Sequence, residues 1–447
     1  MSYILDTKTI INMPSDANHP VIAEFLSNYT YGQIWNIQNQ AEQDTITSGD
    51  YTKAELNGAE YVINITEKGF YIKGTDYQSL MRGYMDFLEQ IKYSPEKEYF
   101  YLKTGTVYGK PLMSFRCVHF CIFPETKLEF LKKCLRACAK VKYTHAIFEF
   151  WGMIKYDCMK ELSWPIAHSK EQIRELVAEV NALGMEIIPM FNHLGHAAQC
   201  REINGKHVVL DQNPKYDYMF TSYGWVWNFK REDVRNLLQK VRDELIELCG
   251  KGKYFHIGCD EADSLGTAEG AHSMADYINE VNADLKSKGR KTIMWHDMML
   301  PKEDFKSYTA KATRISSDIL FEKLDRDILI ADWQYCFHDG TWETSPVFKE
   351  KGFDVVCCPW RFEQNVSEAI ETVKEHNLHG IIQTTWHELF TVFREMVYAG
   401  VMSYGTDELD TRAIYRNYCA EVARKTSPSQ GDYKKCGWSE EMVGPGL

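Results

Sequence analysis

Two adjacent acids, Asp260 and Glu261, close the stretch "HIGCDE" at 256–261. The apolar run leading into them has the length of a strand. Paired carboxylates just past a strand repel each other unless something uses both. Glycoside cleavage is one such use, since it needs a proton donor at the leaving oxygen and a negative group near the anomeric carbon. The usual retaining design places two carboxyls about 5 Å apart on different strands. Sequence neighbours fit that design badly, because successive side chains diverge. They fit better where the second acid grips a substrate group that itself attacks. Glu261 would then be the acid and Asp260 would orient a 2-acetamido group. Burial would have to keep Glu261 protonated near neutral pH while Asp260 stays charged. The competing reading of the pair is a solvated acidic loop in which Asp260 caps a helix.

The elements that must position these residues alternate along the chain from about residue 113. Eight apolar runs of strand length (113–120, 144–151, 185–191, 254–259, 292–295, 328–333, 353–358 and 380–386) have helical material between most of them. Ser169 and Gln172 form a capping box for a helix with Ile173, Leu176, Val177, Val180 and Leu183 on one face and Gly184 at its end. Thr126 and Glu129 give the same start signal for a helix carrying Leu128, Leu131, Leu135 and Cys138. A third helix carries Val234, Leu237, Leu238, Val241, Leu245 and Leu248 and stops at Gly250. Eight such units predict an α/β fold, a (β/α)8 barrel, with a doubly wound open sheet as the rival that periodicity leaves open. The placement of polar and aromatic residues favours the barrel. Glu149 and Trp151, Asn192 to His196, Asp260 and Glu261, Trp295 to Asp297, Trp333 to Tyr335, and Trp386 to Glu388 all follow strands. In a barrel those ends converge on one mouth.

Residues 1–110 read as a small α+β domain, with two strands around a turn at 61–74 and an amphipathic helix at 76–91. The turn-rich stretch 104–111 is its expected boundary. The barrel then takes 111–425, and 426–447 form a loose tail. A net charge of −12 without a Lys/Arg run argues against nucleic acid or an anionic membrane as partner. No stretch approaches the ~18 apolar residues of a membrane helix. The 13 cysteines include no C-x-x-C pair, and the start lacks a basic-then-apolar leader, so a cytoplasmic protein with reduced thiols is expected. His193 and His196 are three apart but lie on a strand-to-loop run rather than a helix face, which disfavours a metal there.

"HIGCDE" resembles the His-x-Gly-Gly-Asp-Glu signature of glycoside hydrolase family 20, the β-N-acetylhexosaminidases. It is closer to the hexosaminidase D-like branch, where Leu-Gly follows, as at Leu265-Gly266. The stretch 61–91 resembles the small domain that precedes the barrel in this family. The resemblance implies a retaining exo-β-N-acetylhexosaminidase that removes terminal β-linked GalNAc or GlcNAc from a small-molecule or oligosaccharide substrate. It would work through an oxazolinium intermediate and need no cofactor and no metal. The branch leans towards the galacto sugar. Asp260 would hold the acetamido N–H while its carbonyl oxygen attacks, and Glu261 would protonate the departing group and then activate water. Arg116, in "FRCVHF", would hold outer hydroxyls, and His196, in "PMFNHLGHAAQ", would hydrogen-bond near the site. Trp386-His387-Glu388 resembles the family's Trp-x-Glu, with Trp386 as the floor and Glu388 accepting hydroxyls at the far edge of the ring. Trp295 and Trp333 would wall the acetamido methyl, and Tyr335 would donate to its oxygen.

This chain departs from the family pattern in three places. Cys259 replaces the second Gly of the signature, a small substitute expected to be tolerated. "FEFWGMIKYD" lacks the wider family's Asp-Asp pair, and Glu149 is expected to orient His196 in its place. Asp297 follows Trp295 as a further candidate for substrate contact. Apart from any resemblance, a Trp cluster supplies apolar walls and a stacking face. Charge-assisted bonds from Arg116 and Glu388 would fix ring orientation and restrict the pocket to a terminal sugar. Two other functions compete. A metal-dependent barrel amidohydrolase would want His-x-His at the end of the first strand, where "CVHFCIF" supplies only His119. A carbohydrate-binding or sensing barrel would keep the pocket without turnover, and the presence of both acids argues against it.

Overall fold

Runs rich in β-branched and aromatic residues, buried on both faces, become parallel strands only when helices cover them. A computed structural model describes residues 1–426 apart from 7–8, 10, 15–16, 35–36, 39–45, 49–50, 125, 198–209, 211–212, 263–264, 306, 336–341, 387–391 and 406–417. Eight parallel strands close into a barrel: β1 (Phe115–Cys121), β2 (His145–Glu149), β3 (Glu186–Met190), β4 (Tyr254–His256), β5 (Lys291–Trp295), β6 (Leu329–Trp333), β7 (Asp354–Cys358) and β8 (Gly380–Thr384). Arg116 of β1 pairs with Ile381 of β8, which closes the ring and removes the open-sheet rival. All eight expected strands are present, most of them trimmed by one to three residues.

Alternation along each strand separates two cores. Phe115, Cys117, Ile147, Ile188, Met190, Ile293 and Leu329 fill the barrel interior, with Trp295 and Trp333 in the same cluster. Tyr335 and Trp386 pack against it. The opposite faces, including Phe120, Phe148, Ile187, Phe255, Met294 and Val355, join the much larger core under the helices.

The helix Lys170–Ala182 has the expected capping box, Ser169 accepting from the Gln172 N–H while the Gln172 side chain accepts from the Ser169 N–H. The helix Glu232–Cys249 stops at Gly250 in a positive-φ conformation. Leu128–Lys140 differs from expectation. It starts without a side-chain cap, because Thr126 and Phe123 bond each other in a turn just before it. A Thr hydroxyl with a nearby main-chain N–H available does not need the helix.

Ahead of the barrel, four strands lie in the order Ile46–Ser48, Phe70–Gly74, Tyr61–Ile65, Gly105–Gly109, and Tyr77–Gln90 packs on them. The stretch 104–111, the expected boundary, contains the strand Gly105–Gly109. It supplies the edge strand beside Tyr61–Ile65, and its Gly and Thr content hid that role because much of it faces solvent. The Tyr77 hydroxyl donates to the Ala182 carbonyl across to the barrel's helical layer. The tail expected at 426–447 lies outside the described residues except for Thr426. No described helix is long and apolar enough to cross a membrane.

Ser169→Ala should lower stability by about 1 kcal/mol, read from urea denaturation, by removing one side of the capping box. An unchanged midpoint would mean that packing alone holds this helix.

Candidate active site

After β4 the chain leaves the barrel through Gly258, Cys259 and Glu261, all with positive φ (68°, 78° and 50°). In an extended chain Asp260 and Glu261 would point to opposite sides. The left-handed residues break that alternation, and both carboxylates reach one imidazole. His196 Nε2 lies 3.2 Å from Asp260 Oδ2 and 3.2 Å from Glu261 Oε2. Close loop packing makes this possible and requires glycine twice. A Cβ on Gly258 would sit 1.9 Å from Asn192 Oδ1, and one on Gly195 would sit 2.0 Å from the Asp260 carbonyl oxygen. Cys259 occupies its left-handed position with a fully buried side chain. A non-glycine residue there costs roughly 1–2 kcal/mol.

The strained turn is anchored at Glu261. Its N–H donates to Asp297 Oδ2 (2.7 Å), and its carbonyl accepts from Trp225 Nε1 (2.7 Å). The Trp225 ring also lies 4.4 Å from that of His196. Lys311 Nζ stands 3.7 Å from Glu261 Oε1. Burial, and next the charge of Asp260, hold the Asp297 carboxyl well above the usual carboxylate range. The surroundings therefore favour the protonated form of Asp297 over that of an ordinary carboxyl. Asp297 sits beneath the turn, with Trp333 Nε1 3.4 Å from its other oxygen. Asp260 Oδ1 is buried and has no hydrogen-bond partner among the described residues.

Four aromatic residues converge beside this acid cluster. Trp295 and Trp386 have ring centroids 5.8 Å apart, and Trp333 stacks on Tyr335 at 5.2 Å. Trp386 Nε1 donates to the Tyr335 hydroxyl (2.9 Å), which ties the two walls together. Burial pushes the Tyr335 phenol far up, so it remains a donor at neutral pH. These residues roof the inner barrel core, so their positions are as fixed as the packing below them.

Other expected residues lie elsewhere. Arg116 is second in β1, at the end of the barrel away from the mouth, and is fully buried. Its guanidinium donates to the Met113 and Lys142 carbonyls, so it closes the barrel base and does not hold sugar hydroxyls. Glu149 does reach the mouth end of β2, but it does not orient His196. Its Oε2 meets His119 Nε2 (2.9 Å) and Cys121 Sγ (3.3 Å), and its Oε1 accepts from Asn192 Nδ2 (2.8 Å). His193 turns away from His196 onto the Phe191 carbonyl and Arg242, and its pKa is pushed down to about 3 by burial. Glu388 lies outside the described residues. Trp225 and Lys311 were not anticipated, since each stands in a loop segment that carries no motif.

The family description "Glycosyl hydrolase family 20, catalytic domain" matches residues 151–405. Hexosaminidase D of Bos taurus is 21% identical over 286 residues, 58% of this chain and 80% of that protein. Lacto-N-biosidase of Bifidobacterium bifidum is 21% identical over 294 residues, 60% of this chain but only 24% of that protein. Among solved structures, Flavobacterium johnsoniae chitobiase superposes with a TM-score of 0.68 at 14% identity, covering 98% of this chain and 71% of that one. The β-N-acetylhexosaminidase of Streptomyces coelicolor A3(2) gives 0.67 at 14%, covering 98% and 93%. A Vibrio harveyi exo β-N-acetylglucosaminidase, solved with N-acetylglucosamine, gives 0.65 at 13%, covering 99% and 75%.

Two outcomes follow from this geometry. Arg116→Met should cost roughly 1–3 kcal/mol for each carbonyl left unpaired, while leaving KM for a sugar substrate within about twofold. A large rise in KM with stability intact would return Arg116 to the substrate. For Asp297 the folded pKa is raised, so its contribution is fully present below the unfolded value near 3.9 and is lost as pH rises through the folded value. Urea denaturation from about pH 4 upward should show wild-type stability declining with pH more than that of Asp297→Asn. Identical slopes would contradict a protonated Asp297.

Proposed function

The chain belongs to glycosyl hydrolase family 20, and on that premise we propose that it is a retaining exo-β-N-acetylhexosaminidase whose nucleophile is the substrate's own acetamido group. The observation that carries this reading is the division of labour at 260–261. Asp260 has one oxygen held by His196 and a buried second oxygen without a partner among the described residues. That second oxygen is a suitable acceptor for the acetamido N–H. Trp295 and Trp333 supply an apolar wall for the acetyl methyl, and the Tyr335 hydroxyl supplies a donor for its carbonyl oxygen.

In this mechanism Asp260 accepts a hydrogen bond from the acetamido N–H and offsets the positive charge that builds on its nitrogen as the carbonyl oxygen attacks the anomeric carbon. The C–O bond to the aglycone breaks, and Glu261 delivers its proton to the departing oxygen. The resulting Glu261 carboxylate is stabilised by Lys311 and His196. It then takes a proton from the water that opens the oxazolinium ring, and two inversions restore the β configuration. Asp297, whose burial favours its protonated form, pins the Glu261 main chain. Substrates of this reading are small glycosides or oligosaccharides ending in β-linked GalNAc or GlcNAc, and a relative solved with N-acetylglucosamine supports that sugar class.

Hydrolysis of the p-nitrophenyl β-N-acetylgalactosaminide and its gluco epimer tests the proposal. Wild-type protein should release nitrophenol, with Glu261→Gln slowed by roughly 10²–10⁴-fold and Asp260→Asn by roughly 10²–10³-fold. The ratio between epimers names the preferred sugar. Comparable turnover of a plain β-glucoside, which has no acetamido group, would overturn the mechanism.

A further inference from the structure

Beneath the aromatic wall, β1 and β2 bring three different metal-ligating groups together. His119 and Cys121 are two apart on β1 and so project to the same, inner side of the barrel. Cys121 is the register partner of Glu149 on β2, which projects to that side as well. His119 and Glu149 are fully buried and Cys121 nearly so. The ligand atoms all lie within 4.8 Å of one another. His119 Nε2 is 2.9 Å from Glu149 Oε2 and 3.8 Å from Cys121 Sγ, and Cys121 Sγ is 3.3 Å from the same carboxylate oxygen.

We propose that His119, Cys121 and Glu149 form a site for a borderline-soft divalent cation, zinc above all. Zinc bonds to imidazole, carboxylate and thiolate at about 2.0–2.3 Å, so tetrahedral angles place such donors roughly 3.3–3.6 Å apart. The three observed separations bracket that span, and a few tenths of an ångström of side-chain motion would fit them to it. The donor set also selects the ion. Thiolate with imidazole favours zinc and its transition-metal neighbours over magnesium or calcium, which prefer all-oxygen shells. The outer shell is in place at Glu149, where Asn192 Nδ2 holds the second oxygen and leaves Oε2 directed at His119 and Cys121. On binding, the Cys121 thiol proton leaves to solvent, and the three protein donors leave a fourth position for water. The ion would tie β1 to β2 beside Trp386, whose ring meets His119 edge-on at 4.9 Å. The site is separate from the Asp260–Glu261 chemistry, which needs no metal, so metal content rather than turnover is the readout.

The experiment uses the full chain, stripped with chelator, re-equilibrated with zinc and assayed by elemental analysis and competition against a chromogenic chelator. About one zinc per chain is expected, with affinity lowered at least ~100-fold in Cys121→Ser and in His119→Gln and by ~10–100-fold in Asn192→Ala. Cobalt in place of zinc should give a thiolate-to-metal charge-transfer band that Cys121→Ser abolishes. Should those variants fail to fold, the wild type decides by itself. Zinc should slow alkylation of Cys121, followed on its peptide, by at least about tenfold relative to the other cysteines. No bound zinc, or zinc that neither variant displaces and that leaves Cys121 alkylation unchanged, would overturn the proposal.

Discussion

The structure turns on a backbone problem. Two consecutive carboxylates at the end of a strand have to face one small volume, and an extended chain sends them apart. Left-handed residues at 258, 259 and 261 solve it, and only one of the three is glycine. Such strain persists where the surroundings over-determine the conformation. Here Asp297 and Trp225 hold the Glu261 main chain, while the approach of Gly258 to Asn192 and of Gly195 to Asp260 leaves no room for a side chain between the loops. The barrel supplies those grips because β3, β5 and the loop carrying Trp225 all end at the same mouth.

The same arrangement sorts the charges. Asp260, Glu261 and Asp297 crowd a site that holds the His196 imidazole and the Lys311 ammonium, which disfavours three full negative charges there. Complete burial, and next the charge of Asp260, favours the protonated form of Asp297. Asp260, nearly as buried, is instead met by His196, and Glu261 is more open and lies near Lys311. Environment, and not residue type, sets these three acids apart. Below them, the Trp295 and Trp333 rings belong both to the inner barrel core and to the pocket wall, so packing that stabilises the fold also fixes the site.

Much of this was legible in the sequence. Strand-length runs and the polar ends that follow them were enough to identify eight strands and their common mouth, and they placed Asp260, Glu261, His196 and the aromatic cluster correctly at it. Arg116 misled because a motif gives a residue's strand and not its height in the barrel. Its place as the second residue of β1 puts it at the base. Glu149 reached the mouth but found different partners, since the β1–β2 register sets it opposite Cys121 and that pairing is invisible before the strands are aligned. Trp225 and Lys311 come from long connections whose contacts depend on tertiary packing, and nothing local marks them. The strand at 105–109 escaped notice because a solvent-facing edge needs little apolar sequence.

The central claim is that the attacking atom belongs to the substrate and that Asp260 only holds it. Its most direct test is kcat/KM for glycosides of one aglycone whose N-acetyl group carries zero, one, two or three fluorines. Each fluorine withdraws electrons from the carbonyl oxygen with little change in shape. Attack by the substrate's own acetamido oxygen predicts a steep, progressive fall in rate with fluorination. A flat series would mean that a protein carboxylate is the nucleophile, and would contradict it.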